Sequence, residues 1–257
     1  APVLDVVTAD GELVVPIDVE NWGVWLKGAF GAPVTTGTTP KVHTFNSGGA
    51  TLPSLSVEMA YPQVPAYEMV SGCVVNTLGW QMRRGGLLTA KVGLLAQGAA
   101  APAGSSGAGT PTAYALSRFG PFHGAVQRDG SALGNIVSAD IEYSNGLDPV
   151  ETLRADGKID GIDPGIASLK GKVVVRFADL TLFNQAIAGS PCELIFSHVI
   201  GANAQFSFTA HAVYLERPGT PVEGPKGMEV SFDFMAAKAT SPARLCTAVL
   251  TNTVAAY

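Results

Sequence analysis

Residues 73–82 read Cys73-Val74-Val75-Asn76-Thr77-Leu78-Gly79-Trp80-Gln81-Met82. Val74, Leu78, Trp80 and Met82 recur with a period of two and share a side with Asn76. That period belongs to a strand, whose successive side chains point to opposite faces. Arg83-Arg84-Gly85-Gly86 then reads as a turn. Leu88, Ala90, Val92 and Leu94 resume the apolar side, with Thr89 and Lys91 opposite. The stretch predicts a β-hairpin with long arms.

Working outward, the same period fills the second half. Val137, Ala139, Ile141 and Tyr143 alternate with Ser138, Asp140 and Glu142. Val173, Val175 and Phe177 alternate across 172–177, and Met228, Val230, Phe232 and Phe234 oppose Glu229, Ser231 and Asp233. Residues 193–200 and 205–214 flank Gly201-Ala202-Asn203-Ala204, a turn-forming string. A last β-branched segment covers 245–254. One helix is predicted, over 179–188, with an apolar stripe at Leu182, Phe183, Ala186 and Ile187 and Gly189 in the stop position. The architecture expected is mainly β: strands around a sandwich or barrel core, with one helix.

Two segments read as loops. Residues 27–49 are rich in Gly, Thr and Pro, and a loop that long usually has a role. It is expected to contact a neighbouring subunit or ring, with Thr35, Thr36, Thr38, Thr39 and Lys41 as candidates. Residues 99–112 are Ala, Gly, Ser and Pro with little else, too few apolar anchors to order by packing. They are expected to form a flexible loop, and no Lys-Ser/Thr follows the glycines to suggest a phosphate cradle.

The 257 residues suffice for one elaborated β domain or two small ones. Charged residues make up 14% of the chain against 47% apolar, so much of the surface is expected to be covered. The net charge of −5, with no Lys/Arg block, argues against a sequence-reading nucleic-acid binder. A weakly acidic wall past which DNA slides is compatible with it. Cys73, Cys192 and Cys246 are odd in number and widely spaced, which predicts buried thiols in a reducing compartment. Residues 1–10 lack a signal-peptide pattern, and no apolar run is long enough to span a bilayer.

Catalytic and metal signatures are absent from the sequence. His43, His123, His198 and His211 have no ligand spacing, and His198 and His211 fall too far apart on their hairpin to share a metal. No Gly-x-Ser-x-Gly elbow occurs. Residues 156–163 resemble a calcium loop but lack its closing Glu, so a polar turn is expected. Asp140 and Glu142 sit about 7 Å apart on one strand face, a spacing that fits paired carboxylates or a solvated face. Neither an enzyme nor a cofactor is expected.

Three groups of strings carry a family likeness. The first is Thr36-Gly37, Val42-His43-Thr44-Phe45 and Leu52-Pro53-Ser54-Leu55-Ser56-Val57-Glu58. The second is Gly72-Cys73-Val74-Val75-Asn76-Thr77-Leu78 with Gly85-Gly86. The third is Asn145-Gly146-Leu147, residues 159–165 and 171–179, and Leu250-Thr251-Asn252. In order and spacing, over residues 25 to 257, they resemble the tail tube proteins of long-tailed (siphovirus-type) bacteriophages.

The resemblance implies one domain over 1–257, as a single tube module or two smaller ones. Its fold would be two packed antiparallel sheets with a flanking helix. It implies rings of six subunits stacked into a tube, assembled in the host cytoplasm around a tape measure protein. Tail terminator and distal tail proteins would be partners, with double-stranded DNA in transit. Such a bore must not bind DNA, which makes the acidic pairs Asp140/Glu142 and Glu229/Asp233 candidates to line it. Another β-rich virion component, such as a tail terminator or baseplate protein, and a secreted β-sandwich binding module are the alternatives. The binding module would call for a row of exposed aromatics, which Trp22, Trp25 and Trp80 do not form.

Overall fold

A computed structural model describes residues 9–219 and 228–257. In chain order the elements begin with β1 (Ala9–Pro16), α1 (Trp22–Phe30), β2 (Val34–Thr36), β3 (Lys41–Asn46), β4 (Leu55–Tyr61), β5 (Ala66–Arg83) and β6 (Thr89–Ala96). Then come β7 (Gly98–Ala99), a short 3-10 turn (Pro121–His123), β8 (Gly124–Arg128), β9 (Ser131–Ala132), β10 (Ile136–Ser144), β11 (Asp148–Val150) and β12 (Gly161–Asp163). The last are β13 (Ser168–Arg176), α2 (Thr181–Ala188), β14 (Cys192–Gly201), β15 (Ala204–Leu215), β16 (Glu229–Ala236) and β17 (Cys246–Asn252).

Fifteen strands form one antiparallel sheet, bent into two layers. The first layer runs β1-β6-β5-β10-β13-β16, and the second runs β2-β3-β17-β15-β14-β8-β9. They join where Val213–Leu215 of β15 pair with Phe234–Ala236 of β16. Aromatic contacts close the layers on each other: Trp80 of β5 lies 4.8 Å from Phe208 of β15, and Phe196 of β14 stacks 6.2 Å from Phe234 of β16. The expected two packed antiparallel sheets are thus present, as an open sandwich rather than a closed barrel. β11 and β12 form a separate two-stranded ladder.

The predicted hairpin is β5–β6, with Trp80 opposite Ala90. A bulge falls at Asn76, where the register shifts between Val75 and Thr77. An extra residue reverses the facing upstream of it, so fully buried Val75 enters the core cluster rather than Val74. A second bulge, between Ile136 and Ser138, turns Val137 outward and packs Ile136 inward. Val137 was expected in the core. Ile141 and Phe232 are there as expected.

The sequence predicts one helix and the structure has two. α2 matches the expectation, with Gly189 closing it in the left-handed region at φ 60°. Its stripe is narrower than expected, since Ile187 is exposed. α1 falls partly in the segment 27–49, which was expected to be a loop. That segment holds the end of α1 and the hairpin β2–β3 instead. Two glycines lower the helix propensity of α1, and burial on most sides erases the two-faced pattern that marks a surface helix. Those glycines allow close packing. A Cβ on Gly23 would fall within 2.5 Å of three Tyr257 ring carbons, and one on Gly28 lies 2.7 Å from Val75 Cγ2. The Asp18 carboxylate precedes the helix and accepts from the Glu20 and Asn21 amides. Trp22 then reaches 5.9 Å from Phe206 and 6.4 Å from Trp80, joining α1 to both layers.

Residues 99–112 run along β4–β5, and all but Ala99 are exposed. The Ala100 amide donates to Met69 O, Tyr67 and Ala103 exchange backbone hydrogen bonds, and Glu58 accepts from Ser106 Oγ and the Gly107 amide. The segment is held by its neighbour's backbone and one carboxylate, not by apolar packing.

Candidate functional site

The outer face of the first layer gathers all four acidic candidates. Asp140 and Glu142 point outward from β10, while Ala139, Ile141 and Tyr143 are buried. Glu229 and Asp233 point outward from β16, between buried Val230, Phe232 and Phe234. The intervening strand is β13, with Lys170 opposite Glu142 and Lys172 opposite both Asp140 and Asp233.

Ion pairs follow the register. Lys170 Nζ is 3.2 Å from Glu142 Oε1, Lys172 Nζ is 3.2 Å from Asp233 Oδ1, and Lys91 of β6 is 3.1 Å from Glu12 of β1. Gln81 of β5 donates its side-chain amide to Asp140. Taken strand by strand, β10 and β16 present acids, while Lys91 stands on the polar side of the hairpin. In the folded chain these acids and lysines interleave on one surface. Each exposed pair contributes about 0–1 kcal/mol. Their larger effect is to cancel the field that either sign alone would project. Asp140 and Glu142 are engaged by Gln81 and Lys170, and both line an open cavity of about 860 Å³ on this face that they share with Glu12, Lys91, Lys172 and Asp233.

Thr35 and Thr36 lie on β2, Thr38 and Thr39 in the following turn, and Lys41 at the start of β3. Lys41 Nζ donates to Gly37 O and Thr35 Oγ1 sits 2.8 Å from His43 Nδ1. Among the described residues β2 pairs only with β3, so its outer edge is open.

The histidines separate by environment. His43 is fully buried, its Nε2 3.1 Å from Asn252 Oδ1 and 3.0 Å from Val254 O, and burial lowers its pKa. His211 bridges Glu193 and Thr247. His123 Nδ1 accepts from the Gly120 amide. His198 is 2% exposed, stacked on Phe206, and neither ring nitrogen has a partner among the described residues. Burial pushes its pKa down to about 4 from 6.5, and nearby His123 adds in the same direction. Between those values the unfolded chain binds a proton that the folded chain refuses. The native advantage is complete above pH 6.5 and is lost as pH falls towards 4. Stability should drop by about 1.4 kcal/mol per pH unit in that window from this group alone. Urea melts of His198→Phe at pH 7 and 4.5 should show that slope removed; an unchanged slope would refute the assignment.

Buried polar junctions were not singled out from the sequence. Asn145 Nδ2 donates to Ala29 O and Val75 O, each at 2.9 Å, and its Oδ1 accepts from the Tyr143 hydroxyl. Asn76, exposed to this loop by its bulge, accepts from the Asn145 and Leu147 amides. Asn252 Nδ2 donates to Val19 O. Only Asn76, which follows Cys73-Val74-Val75, stands out in an apolar string; Asn145 and Asn252 have polar neighbours and carry no local mark. Of residues 156–163, expected as a polar turn, 156–160 are irregular and 161–163 form β12; Arg154 pairs with Asp156 and Asp160 and holds the Asp156 carboxyl well below its usual range.

All three cysteines are buried free thiols, and burial raises Cys192 to about 11 and Cys246 to about 12. Among the described residues, no cluster of three or more His, Cys, Asp or Glu is placed to hold a metal. No helix among the described residues is long and apolar enough to cross a membrane.

Fold and surface together define a β-sandwich module whose first layer carries cross-strand ion pairs on its outer face. The model of the phage tail tube protein family matches residues 1–236, most of the chain. The protein belongs to that family and is a structural component of the virion tail. No curated protein matches it as a relative.

Proposed function

We propose that the chain assembles as stacked rings of six into the tail tube of a long-tailed, siphovirus-type phage. In this reading the ion-paired face of the first layer lines the bore. Family membership supplies the tube, and the interleaved face is the observation that carries the orientation. DNA bound through phosphates releases counterions at each cationic contact. Lysines already engaged by Glu12, Glu142 and Asp233 offer it few such contacts, so the duplex passes without sticking. The tape measure protein would occupy the same bore during assembly in the host cytoplasm, with terminator and distal tail proteins capping the ends. The turn at Thr38–Thr39 would meet a neighbouring subunit or ring, and residues 99–112 would lie on the outer wall.

Negative-stain microscopy of purified protein should show hollow tubes with six-fold end views. Globular monomers at all salt and protein concentrations would overturn the reading. Asp140→Lys with Glu142→Lys should leave tubes intact. At low salt these tubes should retain about tenfold more duplex DNA than wild type, and the excess should vanish in high salt. Equal retention would place this face outside the bore.

A further inference from the structure

The two ends of β5 differ in shape and charge. At its Arg83 end, the layers part around a cleft of about 870 Å³, floored by Met82, Leu88, Val126 and His198. That is within the range of about 300–1,000 Å³ found for clefts that enclose a ligand. Arg83, Arg84 and Arg176 stand at its rim, and none has an ion-pair partner among the described residues. His198 presents a nearly inaccessible imidazole with both nitrogens unpartnered, so the floor lacks one donor and one acceptor.

At its other end, β5 leaves the sandwich as an arm paired with β4 and tipped by Tyr61-Pro62-Gln63-Val64-Pro65-Ala66. Val64 is 70% exposed there, and Met59 and Tyr61 are also exposed. The arm carries Glu58 and Glu68, with Glu151 just after β11 and Asp163 at the end of β12; none of the four has a cationic partner among the described residues. The arm cannot fill its own cleft. Residues 73–83 span roughly 33 Å at about 3.3 Å per residue, and the arm beyond Gly72 extends only about 20 Å.

We infer that the tip Tyr61–Ala66 of one copy docks in the cleft of the next copy along the tube axis. The inference rests on the tail tube reading and names the contact that stacks its rings. An apolar tip meets an apolar floor, and an acidic arm meets an arginine rim. Such a contact joins unlike surfaces and does not close on itself, so it repeats without limit along one direction.

Two variants test it. Val64→Asp, far from the core, should keep the wild-type circular dichroism spectrum and reduce the polymer fraction at least tenfold. Val64→Cys combined with Leu87→Cys at the cleft rim should, in oxidised tubes, give a ladder of disulfide-linked multimers on a non-reducing gel. Neither single variant should give the ladder, because the native thiols are buried. Normal tubes from Val64→Asp, or double-cysteine tubes that run as monomers, would overturn the docking and leave the tube reading standing. A wild-type chain that never forms tubes would overturn both. Should Val64→Asp misfold, the cross-link decides.

Discussion

Trp80→Ala should destabilise the folded chain by about 4 kcal/mol, the largest effect expected of any single substitution discussed here. Trp80 stands where three elements meet: its ring lies 4.8 Å from Phe208, 6.1 Å from Phe206 and 6.4 Å from Trp22. Truncation would open a cavity between the layers, because β5 is held on both sides by β6 and β10 and cannot collapse inward. The indole N–H makes no hydrogen bond, so Trp80→Phe keeps most of the packing and orphans no partner. Its cost should be less than half that of the alanine variant. Guanidinium melts of both variants measure this. Equal losses would show that the indole itself, rather than aromatic packing, is required.

Asn145→Ala should cost about 3 kcal/mol. One amide satisfies the Ala29 carbonyl at the end of α1, the Val75 carbonyl beside the β5 bulge, and the Tyr143 hydroxyl. Alanine leaves these groups buried without partners, at about 1–3 kcal/mol for each that water cannot reach. Asn203→Ala, in the exposed β14–β15 turn, should change stability by under about 0.5 kcal/mol. The difference between the two melts is the measurement, and comparable values would deny Asn145 its role as a junction. Asn145-Gly146-Leu147 and Leu250-Thr251-Asn252, two of the strings that carry the family resemblance, thus contain the buried polar junctions that tie the layers to the loops and helix between them.

The strands were largely legible because one face of each is buried, which stamps a period of two on the chain. β16 is the clearest case: buried Val230, Phe232 and Phe234 alternate with outward Glu229, Ser231 and Asp233. The helix ending at Gly189 was legible for a similarly local reason, a left-handed residue that glycine tolerates best. Local patterns failed where tertiary packing overrode them. α1 is buried on too many sides to show two faces, and its glycines serve the close approach of Tyr257 and Val75. Val137 follows the alternation but is turned out by a bulge whose cause lies in the pairing of β10 with β13.

The sequence by itself determined a β-rich chain with buried thiols and the segments that become its strands, because burial and turn chemistry are written into neighbouring residues. Tertiary structure alone decided which charges meet. Whether Asp140 and Glu142 make an acidic strip or part of a mixed-charge lattice depends on a strand about thirty residues further on, and a slip of one residue would send Lys170 and Lys172 to the other face. It alone also set an arginine-rimmed cleft at one end of β5 and an acidic arm at the other. Residues adjacent along the chain can be read together, but residues brought together by register and layer packing carry no local mark of their partners.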